Sequence, residues 1–240
     1  MSRPSIRDKV TWADIDRRIL DIVMAGLALL KKRSRAPDKV TNEDVLSREL
    51  YEHLLKADRM LQARSSKYIV IGLPIFQANC QPHSSDTHHV PREDKVPDFQ
   101  WNMRSMGIVI DRRKPGWDRY AVHYHVECKR LGRSNTSWIL NNNYIEHGVR
   151  RFIDRNHGYG KGVETGAMVG YVQNMELDDI LMEVNAKADE LAVPHLVLSS
   201  DSWAIGQVNR LDQVLNRPDV LPTPFSLRHI WVDLRSVQRS

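Results

Sequence analysis

"HYHVECKRLG" (residues 123–132) carries two histidines, a glutamate and a lysine at alternating positions. Side chains alternate between the two faces of a β-strand, so a strand here points His123, His125, Glu127 and Lys129 to one face. The tyrosine, valine and cysteine between them are typical of a packed core and form the other face. An exposed Glu–Lys pair on a half-buried sheet is the ordinary explanation of such a row, and it contributes little to stability.

A second carboxylate is expected beside Glu127. "VPDFQWNMRSMGIVID" (96–111) and "DRYAVHYHVECKRL" (118–131) have strand composition, and the "RRKPGW" between them contains the Pro-Gly pair typical of a turn. The sequence therefore predicts a hairpin whose first strand opens with Pro97 and Asp98. Because a helix and another strand follow, this sheet should be covered, and a covered row of charges is costly unless it has a use.

Two acids and a lysine in one place predict a type of reaction. Neighbouring carboxylates raise each other's pKa unless a cation lies between them. Mg²⁺ prefers such oxygen ligands and adds water and phosphate oxygens, and a bound metal activates water against a phosphate. A nearby lysine stabilises the charge that develops on the phosphate oxygens. Asp98, Glu127 and Lys129 therefore predict metal-assisted phosphodiester hydrolysis, with Mg²⁺ as the cofactor and Mn²⁺ as an alternative.

The rest of the chain alternates between helical and strand-like segments. Helices are predicted where apolar residues recur at helical spacing, in 11–32, 41–61, 135–155 and 176–192. Thr41 and Asp44 form a capping box at the start of the second helix. Strand composition marks the segments 67–76, 167–173, 195–200 and 228–234. This order predicts an α/β (α+β) protein with a central mixed β-sheet flanked by helices.

A resemblance to a known family rests on two short motifs in this context. "PD" at 97–98, followed by "ECK" at 127–129, resembles the PD-(D/E)XK nuclease superfamily, which has the restriction-endonuclease-like fold. The family's order of helix, strand with Asp, strand with Glu-X-Lys, helix and strand matches residues 41–173. The resemblance implies one nuclease domain over 41–240, preceded by a helical extension over 1–40.

The resemblance also implies roles for individual residues. The implied metal ligands are Asp98, Glu127 and the backbone carbonyl of Cys128, and the implied catalytic lysine is Lys129. Many members add a glutamate from the first core helix, for which Glu43 and Glu49 are the candidates. Glu43 ranks first because it falls within the apolar stripe of that helix, although acids near a helix N-terminus are also favoured by the helix dipole.

Other residues are candidates for accessory or nucleic-acid contacts. Those that could meet a nucleic-acid backbone are His125, Arg112, Arg113, Lys114, Arg150 and Arg151. His123 and Gln173 are accessory candidates, and a satisfied polar residue at a strand end is the favoured explanation of His123. "CQPHSSDTHH" (80–89) lacks zinc-finger spacing and "GYGKGVETG" (158–166) lacks P-loop spacing, so both stretches are predicted to be loops.

Composition limits the class of protein. The chain has 240 residues, a net charge of +5 and a pI of about 9.2, which is compatible with a polyanionic partner. Two cysteines are too few for a disulfide scaffold. No apolar run approaches the ~20 residues needed to span a bilayer. These features predict a cytoplasmic protein that does not enter a membrane.

The expected function is that of a metal-dependent nuclease acting on DNA, or alternatively on RNA. By analogy with compact members of the superfamily, it would serve a bacterial defence or DNA-processing system. No helicase, ATPase or DNA-reading module is recognisable, so targeting is expected from a partner protein or a homo-oligomer. Two alternatives stay open: a catalytically silent nucleic-acid-binding or assembly subunit, and a different metal-dependent phosphoesterase or nucleotide-directed hydrolase. The intact Asp, Glu and Lys set argues against the silent subunit.

Overall fold

The structure is a computed structural model that describes residues 10–32, 42–65, 69–80, 91–102, 123–133 and 139–235. These ranges contain one seven-stranded sheet with parallel and antiparallel pairs, together with four α-helices. The predicted α/β class with a mixed sheet is therefore confirmed. None of the helices in the described part of the chain is long and apolar enough to cross a membrane.

The order of the strands across the sheet differs from their order along the chain. The helices are α1 (Trp12–Lys32), α2 (Glu43–Arg64), α3 (Leu140–Glu146) and α4 (Leu177–Glu190). The strands are β1 (Ile75–Phe76), β2 (Phe99–Asn102), β3 (His123–Leu131), β4 (Thr165–Val172), β5 (Val197–Leu198), β6 (Val208–Leu215) and β7 (Phe225–Asp233). Across the sheet they lie in the order β1-β2-β3-β4-β7-β6-β5. The central strands β3, β4 and β7 are parallel, and the pairs outside them are antiparallel.

Helices cover both faces of the central strands. Every residue of β4 is buried, as expected for a parallel strand packed on both faces. On one face, the Tyr124 hydroxyl donates to Asp16 of α1 at 2.9 Å, and Ser47 of α2 lies 3.3 Å from the Tyr171 hydroxyl. The opposite face, which carries Glu127 and Lys129, packs against α3. The charged row of β3 is therefore inside the protein.

The antiparallel pairing expected of the predicted hairpin is present, and the two strands separate at one end. β2 and β3 are antiparallel, with Phe99 opposite Val126 and Asn102 opposite His123. The Pro-Gly turn lies outside the described residues. β2 begins at Phe99, which lies opposite Val126. The later part of β3, from Glu127 to Leu131, pairs with β4 and extends past the first residue of β2. The two strands thus separate next to the Phe99–Val126 pair. Asp98 is the residue before β2, and Glu127 is the residue of β3 that follows Val126.

The structure corrects several predicted boundaries. The strand predicted over 67–76 is reduced to β1, since residues 69–74 are irregular. α2 begins at Glu43, where the side chain of Asn42 accepts a hydrogen bond from the Asp44 amide at 3.2 Å. Asn42 is therefore the N-cap, and Thr41 lies outside the described residues. The helix predicted over 135–155 is divided into α3 and a 3₁₀-helix, Val149–Phe152.

Close packing accompanies the break after α3. A side chain at Gly148 would bring its Cβ into collision with the Tyr144 carbonyl oxygen and with the Met168 methyl group. Only glycine fits this approach, so the chain can turn tightly against β4 before the 3₁₀-helix begins. This turn brings Arg151 of the 3₁₀-helix back over the sheet.

A buried chain of hydrogen bonds anchors α3 to the sheet. Trp231 Nε1 donates to the Tyr144 hydroxyl at 3.0 Å, and that hydroxyl lies 2.9 Å from His229 Nδ1. His229 Nε2 lies 3.1 Å from Gln213 Oε1, and the Gln213 amide donates to the Pro194 carbonyl. Because Gln213 presents its oxygen to the ring, Nε2 carries the proton and Nδ1 accepts from Tyr144. The bond from Tyr144 to Nδ1 requires a neutral His229, because a protonated imidazole has no acceptor nitrogen.

His229 should therefore make stability depend on pH. Burial lowers its pKa to about 3, below the unfolded value of about 6.5, so the unfolded chain binds a proton that the folded chain refuses. Stability should fall as the pH drops through about 6.5, by about 2 kcal/mol between about pH 7 and pH 5 from this group. His229→Gln should remove that part of the dependence in urea unfolding. His195→Gln, at an exposed histidine, is the control and should keep the wild-type dependence; equal pH slopes for the two variants would contradict the assignment.

Candidate active site

The site lies where β2 and β3 separate. Asp98 Oδ2 accepts a hydrogen bond from the amide of Cys128 at 2.7 Å, in place of a strand-to-strand bond. The carboxylate of Asp98 is thereby held against the residue that follows Glu127. Asp98 and Glu127, the two acids that the sequence predicts to be neighbours, thus lie where β2 and β3 separate.

The ammonium group of Lys129 lies among three oxygen atoms. Its Nζ donates to Glu127 Oε1 at 2.7 Å, to the Cys128 carbonyl at 2.7 Å and to Glu43 Oε1 at 2.9 Å. Glu43 is the first residue of α2, and its other oxygen accepts from the amide of Arg130 at 3.0 Å. The first turn of α2 therefore delivers a third carboxylate to the open edge of β3.

Glu127 binds two cations through one oxygen. Besides Lys129, Arg151 Nη1 lies 2.6 Å from Glu127 Oε1. The other oxygen, Oε2, is buried and has no hydrogen-bond partner among the described residues. A buried carboxylate oxygen without a partner loses solvation that nothing replaces.

The electrostatics of the site are those of crowded acids around one lysine. Burial, together with the charge of Glu127, raises the pKa of Asp98 to about 8. Burial opposes the charge of Lys129, but Glu127 and Glu43 outweigh it and hold the pKa of the ammonium group above its ordinary value. In the described part of the chain, no three His, Cys, Asp or Glu side chains stand in position to hold a metal ion. The acids converge on the lysine instead.

The two histidines of β3 are buried beside Gln100. His125 is buried; its Nε2 lies 3.2 Å from Gln100 Oε1, and its Nδ1 accepts from the Gly160 amide at 3.0 Å. His123 is also buried, with Nδ1 lying 3.0 Å from Gln100 Nε2. The expected contact between His125 and nucleic acid is therefore corrected, because both ring nitrogens bond within the protein. His125 positions the glycine-rich loop.

Arg217 holds the same loop from the other side, and it was absent from the sequence-based candidates. Its guanidinium is fully buried, stacks 3.5 Å from the centre of the Phe225 ring and donates to five carbonyls. Those carbonyls belong to Phe152, Tyr159, Gly160, Val163 and Pro222. The local sequence "LNRPDV" reads as a surface turn, so no local signal marks this arginine as interior.

The remaining candidates lie around the site or outside the description. Arg150 is exposed on the 3₁₀-helix, and Glu49 is half-buried on α2. Gln173 follows β4, three residues after Gly170, the residue opposite Lys129. Three proposed nucleic-acid contacts fall outside the described residues: Arg112, Arg113 and Lys114. The same holds for most of the histidine-rich stretch 80–89.

Comparisons with protein-family models, with curated proteins and with solved structures gave no match for this chain. The structure nevertheless brings six groups together in one partly buried site: three carboxylates, a backbone carbonyl, a lysine and an arginine. Carboxylate and carbonyl oxygens are the ligands that hard cations prefer, and lysine and arginine are the side chains that pair with phosphate.

Proposed function

We propose that this chain is a Mg²⁺-dependent nuclease of the PD-(D/E)XK type that hydrolyses phosphodiester bonds in DNA, with RNA as an alternative substrate. The observation that carries the proposal is the convergence of Asp98, Glu127, Glu43 and Lys129 at the point where β2 and β3 separate. Two of these acids and the lysine are the "PD" and "ECK" residues of the resemblance. A charged cluster with no use would be expected at the surface, whereas Glu127 retains only 1% of its side-chain exposure.

The donor set suits a hard divalent cation. A positive group, the Lys129 ammonium, already lies 2.7–2.9 Å from two carboxylates and a carbonyl. Asp98 stands beside them, and Glu127 Oε2 is buried with no hydrogen-bond partner among the described residues. Asp98, Glu127 and the Cys128 carbonyl would hold Mg²⁺, with Glu43 as a fourth candidate. When bound, the ion supplies an acidified water and neutralises charge on a phosphate.

The protein's own groups have separable tasks in this proposal. Glu43 keeps the Lys129 ammonium within the site, so that the lysine can donate to a phosphate oxygen or to an attacking water. Its raised pKa keeps Lys129 charged at neutral pH. The Asp98–Cys128 hydrogen bond fixes one carboxylate relative to the strand that carries the other. Burial of this set lowers the local dielectric and strengthens each of these interactions.

Nucleic acid fits the charge around the site. Arg150 and Arg155 are exposed on the segment that carries Arg151, and the whole chain has a net charge of +5. Phosphate backbones bind such basic groups without reading sequence. Targeting to a particular nucleic acid would then come from a partner protein or from a homo-oligomer.

Replacing Lys129 tests the proposal with two measurements that should move in opposite directions. Lys129→Met should reduce Mg²⁺-dependent cleavage of DNA by about 10² or more, since it removes a charged group aimed at the phosphate. The same variant should bind Mn²⁺ at least about tenfold more tightly, since a unit charge ~4 Å away counts for about 4 kcal/mol near a protein surface and about 1.4 kcal/mol is tenfold. Cleavage is read on gels with Mg²⁺ or with EDTA, and Mn²⁺ binding by electron paramagnetic resonance.

The matched control is Lys187→Met. Lys187 also pairs with two glutamates, Glu146 at 2.7 Å and Glu190 at 2.8 Å, but on α4. It should match wild type in both measurements. Wild-type protein that binds Mn²⁺ and DNA yet never cuts DNA or RNA would favour the catalytically silent subunit. Cleavage of small phosphoesters alone would favour a different phosphoesterase. Cleavage that persists in EDTA would overturn the metal-dependent mechanism.

A further inference from the structure

Arg151 and Lys129 compete for the same oxygen of Glu127. Arg151 Nη1 is 2.6 Å and Lys129 Nζ is 2.7 Å from Glu127 Oε1. One carboxylate charge therefore serves two cations. Lys129 has two other oxygen partners, from Glu43 and Cys128. Among the described residues, Glu127 is the only carboxylate that Arg151 pairs with. If Glu127 binds another group, Arg151 therefore loses its ion pair, whereas Lys129 keeps two of its three oxygen partners.

The backbone of Arg151 is fixed while its side chain remains accessible. Its amide donates to the Gly148 carbonyl at 3.0 Å, and its carbonyl accepts from the Tyr159 amide at 3.1 Å. The guanidinium lies 6.0 Å from the centre of the Tyr159 ring. The Arg151 side chain is 29% exposed, whereas that of Glu127 is 1% exposed. An anion that approaches from solvent therefore meets the arginine before the carboxylate.

We propose that Arg151 is a phosphate-binding residue of this site and that Glu127 holds it in reserve until a cation engages the carboxylate. This inference rests on the proposed function for the identity of the substrate. A guanidinium presents paired donors that match two oxygens of a phosphate, which a lysine cannot do. The exchange is a change of partner: Arg151 leaves Glu127 as the carboxylate turns to the cation, and it then donates to the phosphate. Cation and phosphate binding are thereby coupled through one carboxylate.

The coupling can be tested without hydrolysis. The probe is thymidine 5′-monophosphate, titrated by calorimetry with and without Ca²⁺. Wild type should bind it more tightly when Ca²⁺ is present. Glu127→Gln should bind it at least about tenfold more tightly than wild type in the absence of Ca²⁺, because the amide no longer pairs with Arg151; tenfold corresponds to about 1.4 kcal/mol.

Two double variants separate the guanidinium from the general change in charge. Glu127→Gln with Arg151→Gln should lose the gain. Glu127→Gln with Arg210→Gln should keep it, although both proteins have the same formal charge. Arg210 is the matched control because it also pairs with a carboxylate, Asp212 at 3.1 Å, but on β6. If the two double variants bind the nucleotide equally, the proposal is overturned.

Kinetics give a second, independent result. Arg151→Gln should lower kcat by about 10², the usual effect of losing one donor to a developing charge, without weakening Mn²⁺ binding. Arg151→Lys should recover only a small part, since the paired donors are lost. A change in KM with unchanged kcat would overturn the assignment to the reacting phosphate. If wild type cleaves nothing, the proposed function fails, and the nucleotide titration still decides whether Arg151 binds phosphate.

Discussion

Replacement of Asp98 by asparagine is expected to reduce metal-dependent DNA cleavage by at least about 10³. Metal ions contribute several kcal/mol of transition-state stabilisation, and about 1.4 kcal/mol corresponds to tenfold in rate. The amide oxygen of the introduced asparagine could still accept from the Cys128 amide, so the fold of the hairpin should survive. The variant removes the charge that a cation needs and little else. Cleavage is measured with a labelled duplex over a range of Mg²⁺ concentrations.

The same variant should be more stable than wild type when cations are absent. Burial and the charge of Glu127 raise the pKa of Asp98 from 3.8 to about 8, so at neutral pH the folded chain holds a proton that the unfolded chain releases, and this opposes folding. Asparagine removes that opposition, as expected where a protein gives up stability for a functional site. Added Mg²⁺ should raise the Tm of wild type, through binding to the folded state, and leave that of the variant unchanged.

Asp94→Asn is the control for both measurements. Asp94 is exposed in the segment that leads to β2, so its loss should change neither cleavage nor the Mg²⁺-dependent rise in Tm. An Asp98→Asn variant that still cleaves at the wild-type rate would remove Asp98 from the active site. A variant that loses cleavage and also melts far below wild type without Mg²⁺ would point to a structural role instead.

The pairing of β2 with β3 was predictable because two local rules agree. Alternation along "HYHVECKRL" separates a core face from a charged face. In the structure both faces of β3 are buried, because α3 packs on the sheet. Asp98 could be placed near Glu127 because antiparallel pairing brings the start of one strand to the later part of the next. The separation of β2 from β3 at that point is the feature that makes the site, and it depends on where β2 begins, which composition does not specify.

Strand β6 was not predicted because its alternation runs against the usual pattern. Its buried positions include Asn209 and Gln213, while Val214 is 56% exposed. The Asn209 side chain accepts a hydrogen bond from the amide of Ala204 and donates one to its carbonyl. The Gln213 side chain is hydrogen-bonded to His229. These polar side chains can be buried because other groups satisfy them: Ala204, five residues away, for Asn209, and the more distant Pro194 and His229 for Gln213. A pattern based on hydrophobicity cannot contain that information.

The two arginines of the site illustrate the same limit. Arg151 was a candidate for the nucleic-acid backbone, but its pairing with Glu127 depends on the turn at Gly148, which the helix predicted over 135–155 does not contain. Arg217 lies 66 positions after Arg151. Its partners are backbone carbonyls, which every residue has, so the sequence does not reveal them. Both residues matter through contacts made across the fold.

Arg217→Met is expected to destabilise the protein by about 4 kcal/mol or more. Methionine fills part of the volume, but five carbonyls lose the guanidinium as a donor, and four of these bonds are buried, including those to Tyr159 at 2.8 Å and Gly160 at 2.8 Å. The Gly160 carbonyl keeps its bond from the Val163 amide. An unpaired buried polar group costs about 1–3 kcal/mol, and partial relaxation of the loop should keep the total below the sum. Urea unfolding followed by circular dichroism measures the change. Arg155→Met, at an exposed arginine beside the same loop, should stay within about 0.5 kcal/mol of wild type.

Arg217→Lys separates charge from hydrogen bonding. The ammonium keeps the charge but has three donors and no planar face, whereas the guanidinium serves five carbonyls and stacks on Phe225 at 3.5 Å. Burial lowers the pKa of Arg217 to about 9, so the native group is charged at neutral pH and geometry is what the lysine variant loses. We expect it to recover less than half of the loss caused by Arg217→Met. Full recovery would mean that the buried charge, and not the shape of its donors, holds the glycine-rich loop that carries Gly160 against the site.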